Sequence, residues 1–178
     1  MTKAARAKLT LSLLRHAKAV REAGNEGDIA RPLSARGRRN AEAMGAHIKA
    51  ANVVPQLVLC SSAARTLETL NLVLPHLAGE PKVSMLDTLY LAGPLVMLKR
   101  LHAVPAKLSH VMIIGHNPGL QALALDLIAQ GPQERIAALG RKMPTSGLVV
   151  MDFALENWSE VVAGTGTLTI FATPDDIE

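Results

Sequence analysis

Short apolar runs alternate with longer amphipathic segments along most of the chain. The runs predict strands at residues 9–14, 57–60, 82–86, 111–114, 148–153 and 167–171. The segments between them predict helices over about residues 35–50 after a capping Ser34, over 63–77, over 94–103, and from Pro118 onwards after a capping Asn117. Strands that alternate with helices in this way indicate β-α-β units, so we expect an α/β fold with a mainly parallel central sheet.

The length of the chain suits one domain. Its 178 residues match an ordinary domain, and neither an internal repeat nor a linker divides them. We expect a single domain over residues 1–178, in which residues 1–8 form a flexible N-terminal extension and residues 20–30 a surface loop. We also expect Val161 and Val162 to pair with a neighbouring strand as part of a hairpin.

The composition excludes several classes of protein. With 49% hydrophobic and 19% charged residues, the chain is neither disordered nor of low complexity. Its one cysteine, Cys60, excludes a disulfide framework and a multi-cysteine zinc site, and we expect it to be a small buried residue. No apolar run approaches the ~20 residues of a membrane span. We therefore expect a cytoplasmic protein that does not associate with membranes.

The positive charge is concentrated near the N-terminus. The formal net charge is +4, and eleven of the nineteen Lys and Arg residues lie in residues 1–50. Arginines beside particular loops suit an anionic ligand such as a phosphate. Nucleic acid is the rival ligand, but four aromatic residues offer little for base stacking, so we expect no nucleic-acid partner.

Two of the loops that follow predicted strands contain a histidine. Arg15 and His16 follow the first strand, and His116 lies between the strand at 111–114 and the helix at Pro118. Ligands of open α/β sheets bind beyond the carboxyl ends of the strands, which is where these side chains are expected. Each histidine taken alone is more often structural than catalytic.

A third loop places a cation at a helix N-terminus. A serine after the strand at 57–60 would cap the next helix, so Arg65 falls in or near its first turn. A cation is unfavourable there, by some ~0.3–1 kcal/mol, because the helix dipole is already positive at that end. A bound anion would reverse this penalty. The alternatives are a solvated Arg65 or an ion pair with Glu68.

These loops, taken together, resemble the histidine phosphatase superfamily, which includes the phosphoglycerate mutases. The nearest resemblance is to its SixA-type phosphohistidine phosphatases. The matching pieces keep the family's order and span about residues 9–150. They are Leu-Leu-Arg-His-Ala-Lys-Ala at 13–19, Arg-Pro-Leu-Ser at 31–34 with Gly37, Ser61 with Arg65 and Thr69, Gly-His-Asn-Pro-Gly-Leu at 115–120, and Pro144-Thr145.

The resemblance implies a fold, a site and an activity. It implies a three-layer α/β/α sandwich with a pocket above the sheet. It implies that His16 is the nucleophile, that Arg15, Arg65 and His116 surround the phosphoryl group, and that Asn117 helps to bind substrate. These residue types agree with that chemistry, because a neutral imidazole is a good nucleophile and flanking arginines lower its pKa. Charges around the phosphoryl oxygens can be supplied without a metal, and we expect neither metal nor other cofactor.

One position of the superfamily pattern is missing. Mutases and many ester phosphatases have a glutamate after the third strand, which protonates the leaving oxygen, but residues 86–90 contain none. Asp87 is a possible general acid, although a surface residue or helix cap is the favoured interpretation. An imidazole leaving group needs far less acid assistance than an alkoxide, since its conjugate acid has a pKa of about 6.5. The substrate is therefore expected to be phosphohistidine.

The sequence thus predicts a monomeric phosphatase that acts on a histidine-phosphorylated protein, such as a phosphotransfer domain. One alternative is a phosphatase of small phosphate esters or anhydrides. Another is a non-catalytic module that binds phosphate. Asp28 and Arg31 could position the first loop, with Arg31 reaching the pocket. Four basic residues near the entrance could dock a protein: Lys18, Arg36, Arg38 and Arg39. For the three arginines, a solvated helix face is the favoured interpretation.

Overall fold

Seven strands form one sheet in residues 9–177, the part of the chain that this computed structural model describes. The strands are β1 (Leu9–Arg15), β2 (Leu57–Ser61), β3 (Lys82–Leu86), β4 (His110–Gly115), β5 (Ile128–Gln130), β6 (Leu148–Phe153) and β7 (Gly166–Ala172). Their order across the sheet is β3-β2-β4-β1-β6-β7-β5. Only β6 among them is antiparallel to its neighbours, β1 and β7. The prediction of a mainly parallel sheet is confirmed.

Helices cover both faces of this sheet. They are α1 (Ala35–Ala50), α2 (Ala64–Val73), α3 (Pro94–His102), α4 (Gly119–Leu127), α5 (Gln133–Arg141) and α6 (Pro174–Ile177). On one face α1 contacts α2 and α6, and on the other face α4 contacts α3 and α5. The three-layer α/β/α sandwich is therefore confirmed.

The central strand β1 joins the two halves of the core. Leu11 and Leu13 pack into the cluster of apolar side chains that includes α3, α4 and α5. Leu14 packs on the opposite face, with Met44 and Ile48 of α1. Side chains of a strand alternate between the two faces of the sheet, so β1 is buried on both. The chain that leaves its carboxyl end is thereby held at the middle of the sheet.

Helix α1 begins against the loop that follows β1. Ser34 caps it as predicted, accepting a hydrogen bond of 3.0 Å from the Gly37 N–H. The Ser34 hydroxyl also donates to the carbonyl oxygen of Lys18 at 3.0 Å. A Cβ atom on Gly37 would lie 2.0 Å from that same oxygen. Only glycine allows the helix to approach the loop this closely.

Two helices differ from the prediction at their ends. Helix α2 stops at Val73, and a 3-10 turn over Leu74–His76 follows because Pro75 cannot continue the hydrogen-bond ladder. Its N-cap is Ala63, without a side-chain cap, so the prediction of a capping serine is wrong. Helix α4 begins at Gly119 rather than at Pro118, and Pro118 is its N-cap.

The C-terminal third contains the larger differences. The predicted hairpin partner at Val161 and Val162 is wrong: a capping box of Asn157 and Glu160 forms a 3-10 turn over Trp158–Glu160 instead. Trp158 is fully buried, and its indole N–H donates to the carbonyl oxygen of Leu108 at 2.7 Å. The sequence prediction also lacked β5 and α5.

The remaining expectations concern the termini and membranes. The flexible extension expected at residues 1–8 lies outside the described residues. Within residues 9–177, no helix combines the length and the apolar character that a membrane span requires.

Candidate active site

The three loops identified in the sequence meet at one pocket. It has a volume of about 610 Å³ and lies at the carboxyl ends of β1, β2 and β4. Asp87, at the start of a 3-10 turn after β3, is exposed and does not line it. The lining residues are Arg15, His16, Lys18, Ala19, Asp28, Arg31, Arg65, Leu91, His116, Asn117, Lys142, Pro144 and Thr145.

His16 is fixed by its backbone and by its ring. It is the first residue after β1 and is 8% exposed. Its backbone N–H donates to the carbonyl oxygen of Gly115 at 3.1 Å, which ties the two histidine loops together. Ring atom Nδ1 lies 2.7 Å from the carbonyl oxygen of Ala17. A carbonyl only accepts hydrogen bonds, so Nδ1 carries the proton and the neutral ring has its lone pair on Nε2.

The surroundings keep this ring neutral. Burial lowers the pKa of His16 to about 4, because the charged imidazolium would lose its hydration. The positive charges of Arg65 and Arg15 lower this pKa further, against the hydrogen bond to Ala17, which raises it. His16 is therefore uncharged at neutral pH.

Arg65 projects from the first turn of α2 and is 2% exposed. Its Nη1 donates to the backbone oxygen of Asp28 at 2.9 Å, and its Nη2 donates to the Asp28 carboxylate at 3.1 Å. The alternative pair with Glu68 does not form, since Glu68 instead binds Arg38 at 3.2 Å. Arg65 thus faces the pocket as a paired and oriented cation.

Asp28 connects several parts of the site. Its carboxylate accepts hydrogen bonds from Arg31 Nε at 2.8 Å, from Arg65, and from the hydroxyl of Tyr90. The hydrogen bond from Tyr90 is the largest influence that lowers the pKa of Asp28, to about 2, and Arg31 adds to it. The carboxylate is therefore ionised at neutral pH. Arg31 reaches the pocket as the sequence suggested.

Tyr90 is a neighbour of the site that sequence reasoning missed. Its ring meets the His116 ring edge-on, with centroids 5.5 Å apart, and the Arg65 guanidinium lies 5.8 Å from its centroid. The available signal was an isolated aromatic residue just after the third strand, in a chain with four aromatic residues.

His116 lies beside His16, with ring centroids 5.3 Å apart. It is 3% exposed, and its Nε2 shares a hydrogen bond of 2.7 Å with the hydroxyl of Ser61. Burial is the main reason that the pKa of His116 is lowered to about 3, and the charge of Arg65 contributes. Like His16, this ring is neutral at ordinary pH.

The segment before β6 closes the remaining side of the pocket. The carbonyl oxygen of Met143 accepts hydrogen bonds from Arg15 Nη1 at 2.9 Å and from Asn117 Nδ2 at 3.0 Å. The Ser146 N–H donates to the backbone oxygens of Arg15 and His16 at 3.2 and 3.1 Å. Met143 takes part through its main-chain oxygen, so no side-chain motif at this position could have revealed these contacts.

Three buried nitrogen atoms in the lining residues have no hydrogen-bond partner. They are Arg15 Nε, Arg65 Nε and His116 Nδ1. Buried polar groups are nearly always paired in folded proteins, so an unpaired cluster of this kind suits a ligand that supplies acceptors. A tetrahedral oxyanion between two guanidinium groups meets that requirement.

The other reactive side chains lie elsewhere. Cys60 is fully buried, as expected, and burial raises the pKa of its thiol to about 12. Three histidines outside the pocket have structural contacts: His76 with the carboxylate of Glu42, His102 with the carbonyl oxygen of Val161, and His110 with the hydroxyl of Ser12.

Comparisons with known proteins identify the family. The model of the histidine phosphatase superfamily (branch 1) matches residues 11–89. An uncharacterized protein of Mycobacterium leprae is 32% identical over 165 residues, which cover 90% of this chain and 99% of that protein. A similar protein of Mycobacterium tuberculosis is 31% identical over 163 residues, again 90% and 99% of the two chains.

Solved structures resemble the whole described fold. A proposed phosphohistidine phosphatase SixA from Agrobacterium tumefaciens is 30% identical, with a TM-score of 0.79 over 93% of this chain and 98% of that one. A second proposed phosphohistidine phosphatase SixA, from Nakamurella multipartitia, is 29% identical. Its TM-score is 0.80 over 93% of this chain and 96% of that one. A protein histidine phosphatase SixA complexed with tungstate, 22% identical, shares the fold, with a TM-score of 0.74 over 96% and 100%.

The chain belongs to the histidine phosphatase superfamily and is a phosphatase. Both the sequence identity and the shared fold assign it, within that superfamily, to the SixA-type branch.

Proposed function

We propose that this protein hydrolyses the phosphorus–nitrogen bond of phosphohistidine in another protein, through a covalent phosphohistidine on His16. The observation that carries the proposal is the hydrogen bond of 2.7 Å from His16 Nδ1 to the carbonyl oxygen of Ala17. It leaves the lone pair on Nε2, in a pocket lined by three arginines.

In the first step, His16 Nε2 attacks the phosphorus atom. A bond forms between Nε2 and phosphorus, while the bond from phosphorus to the substrate imidazole breaks. The electron pair of that bond stays on the leaving nitrogen, and the imidazole departs as a neutral ring because its other nitrogen carries a proton taken up from solvent before the transfer. The low pKa of His16, about 4, keeps the attacking lone pair free at neutral pH.

Arg15, Arg65 and His116 bind the equatorial oxygens of the phosphoryl group. When the Ser61 hydroxyl donates to His116 Nε2, the neutral ring carries its proton on Nδ1, and Nδ1 becomes a free donor. The Nε–H groups of the two arginines are free donors as well. Phosphoryl transfer depends mainly on positioning and on charge stabilisation, and these side chains supply both without a metal ion.

In the second step, a water molecule attacks the phosphorus atom of the phosphorylated His16. An oxygen–phosphorus bond forms and the bond to Nε2 breaks, which returns the electron pair to the ring. The products are inorganic phosphate and neutral His16. The Nδ1 hydrogen bond to Ala17 holds the ring orientation through both steps.

The acids near the pocket favour phosphohistidine over phosphate esters. Among the described residues, Asp28 is the one carboxylic acid in the lining, and its pKa of about 2 keeps it ionised. Asp87 lies outside the lining. An alkoxide leaving group needs a proton donor, whereas an imidazole needs far less help. The site therefore suits a phosphoramidate.

The entrance favours a protein as the carrier of the phosphohistidine. Leu91 lines the pocket and is 56% exposed, and the nearby Leu95 and Val96 are exposed as well. Exposed apolar side chains beside a polar pocket are typical of surfaces that contact proteins. Proteins of the SixA-type branch that resemble this chain are named phosphohistidine phosphatases, which supports the same substrate class.

The test is phosphate release from a histidine-phosphorylated phosphotransfer domain. Wild type is compared with His16→Ala and with a matched control, His47→Ala, whose half-buried histidine on α1 lies outside the pocket. We expect release by wild type and the control, through an acid-labile phosphoenzyme that His16→Ala does not form. Activity that survives EDTA supports catalysis without a metal.

Other outcomes favour the alternatives. Hydrolysis of p-nitrophenyl phosphate without release from the phosphoprotein would favour the small-molecule phosphatase. If wild type hydrolyses neither the phosphoprotein nor p-nitrophenyl phosphate, and His16→Ala still binds phosphate, the non-catalytic binding module is favoured.

A further inference from the structure

A second pocket, of about 220 Å³, adjoins the catalytic pocket. The two share four lining residues, Lys18, Lys142, Pro144 and Thr145. The second pocket is completed by Arg36 and Asn40 of α1 and by Pro174 and Asp175 of α6. A single ligand can therefore occupy both pockets at once.

Asn40 indicates that the second pocket accommodates a polar ligand. Its side chain is 7% exposed and lines the pocket. This side chain makes no hydrogen bond with any residue of the range 9–177. A polar side chain that is largely buried and has no protein partner can form a hydrogen bond with a ligand that enters the pocket. A ligand oxygen would accept from this amide.

The cations of the pocket lack partners too. Lys18, Arg36 and Lys142 are exposed and form no ion pair within the described residues. Arg36 lies in the first turn of α1, where no acidic residue offsets the positive end of the helix. Arg38 in that same turn is neutralised by Glu68. An anion bound beside Arg36 would supply the negative charge that the first turn of α1 lacks.

The net charge of the lining favours an anion. Three cations and the one carboxylate of Asp175 leave a formal charge of +2. Carboxylates and phosphates are both attracted to such a lining. The anionic side chains of a protein substrate are the carboxylates of aspartate and glutamate, so these are the groups that the pocket would bind.

We infer that the second pocket binds an aspartate or glutamate side chain of the phosphorylated protein while its phosphohistidine occupies the catalytic pocket. This inference rests on the proposed function. The pocket acts as a specificity site: it selects phosphohistidines that have an acidic side chain at a fixed distance.

The test compares pairs of histidine-phosphorylated peptides. In each pair, Glu or Gln stands at one position within four residues of the phosphohistidine, and phosphoimidazole serves as a substrate without a second group. We expect at least one position at which kcat/KM for Glu exceeds that for Gln about tenfold. Arg36→Gln and Asn40→Leu should reduce this ratio towards one.

A matched control and a charge reversal make the assignment specific. Lys49→Gln removes a charge from the far end of the same helix, outside both pockets, and should keep the wild-type ratio. Arg36→Glu brings the formal charge of the lining from +2 to zero, so it should abolish the preference for Glu over Gln. Arg36 is exposed, so these variants are expected to fold, and circular dichroism checks each of them.

The outcomes separate this inference from the function on which it rests. If wild type does not hydrolyse phosphoimidazole or any peptide, the proposed function fails. If it hydrolyses them with a Glu-to-Gln ratio of one at every position, the specificity site alone is wrong. A preference for Glu that both Arg36→Gln and Asn40→Leu retain would also overturn it.

Discussion

Asp28 holds the Arg65 guanidinium through two hydrogen bonds, one to its backbone oxygen and one to its carboxylate. The burial of the two partners differs, because the Arg65 side chain is 2% exposed and the Asp28 side chain 46%. The cation is locked inside the protein, while the anion that orients it remains in contact with solvent. A change at Asp28 therefore acts on the pocket through Arg65.

Asp28→Asn should weaken both stability and activity. The amide retains an oxygen but loses the charge, so we expect about 1–2 kcal/mol less free energy of unfolding, a value reduced for the solvent-exposed partner. Because Arg65 is held less firmly, kcat/KM should fall about tenfold. Urea unfolding and steady-state kinetics measure the two effects. Asp126→Asn, an exposed change outside the pocket, is the control, and equal kinetics for both variants would contradict the positioning role.

His16 should remain neutral across the physiological pH range. Its pKa of about 4 lies below the usual value near 6.5. In the folded protein, the ring resonances of His16 in NMR spectra should stay constant between pH 8 and 5, where an ordinary histidine titrates. Arg31→Gln should raise the pKa, since the charge of Arg31 helps to lower it. A titration midpoint near pH 6.5 for His16 in the wild-type protein would show that its pKa is not lowered.

The same shift makes the fold sensitive to acid. The unfolded ring of His16 binds its proton at higher pH than the folded ring, so its contribution to the free energy of unfolding is complete above about pH 6.5. The contribution decreases as the pH falls towards 4. Melting temperatures should therefore decline over this interval. A smaller decline of the melting temperature in His16→Ala would confirm that His16 causes it, and an identical decline would exclude His16 as the cause.

Gly37→Ala should disturb the loop that carries His16. The new Cβ would lie 2.0 Å from the Lys18 carbonyl oxygen, so either the helix or the loop must move. We expect about 1–3 kcal/mol of destabilisation and a lower kcat. Gly140→Ala on α5 meets no atom within 4 Å and should raise stability by up to about 1 kcal/mol. Thermal unfolding measures the stability of both variants. Similar shifts of their melting temperatures in the same direction would refute this reasoning.

Cys60 should not react in the folded protein. It is fully buried, and its pKa of about 12 leaves almost no thiolate at pH 8. Iodoacetamide should therefore label it only after unfolding in urea, as mass spectrometry can show. Rapid labelling of the native protein, with retained activity, would mean that the strand end at Cys60 opens readily.

The sequence allowed the fold class and the meeting of three loops to be predicted, because local patterns encode both. Strands such as β1 and β4 are short apolar runs, and the side chains after them stand at their carboxyl ends. Nothing local links Asp28 to Arg65, which are 37 positions apart, or to Tyr90. Helix α5 spans nine residues, of which Leu139 alone is fully buried, and the sequence prediction lacked it.

The order of the strands has a consequence for how the chain acquires its site during synthesis. β4 lies between β1 and β2 in the sheet, although it follows both in the chain. A nascent chain that ends after β3 therefore has no partner for β1 on either side. Arg15 and His16 gain their backbone hydrogen bonds only when Gly147 and Gly115 have left the ribosome. Contacts of such sequence separation form late in folding, so the N-terminal half, which contains His16 and Arg65, assembles no pocket by itself.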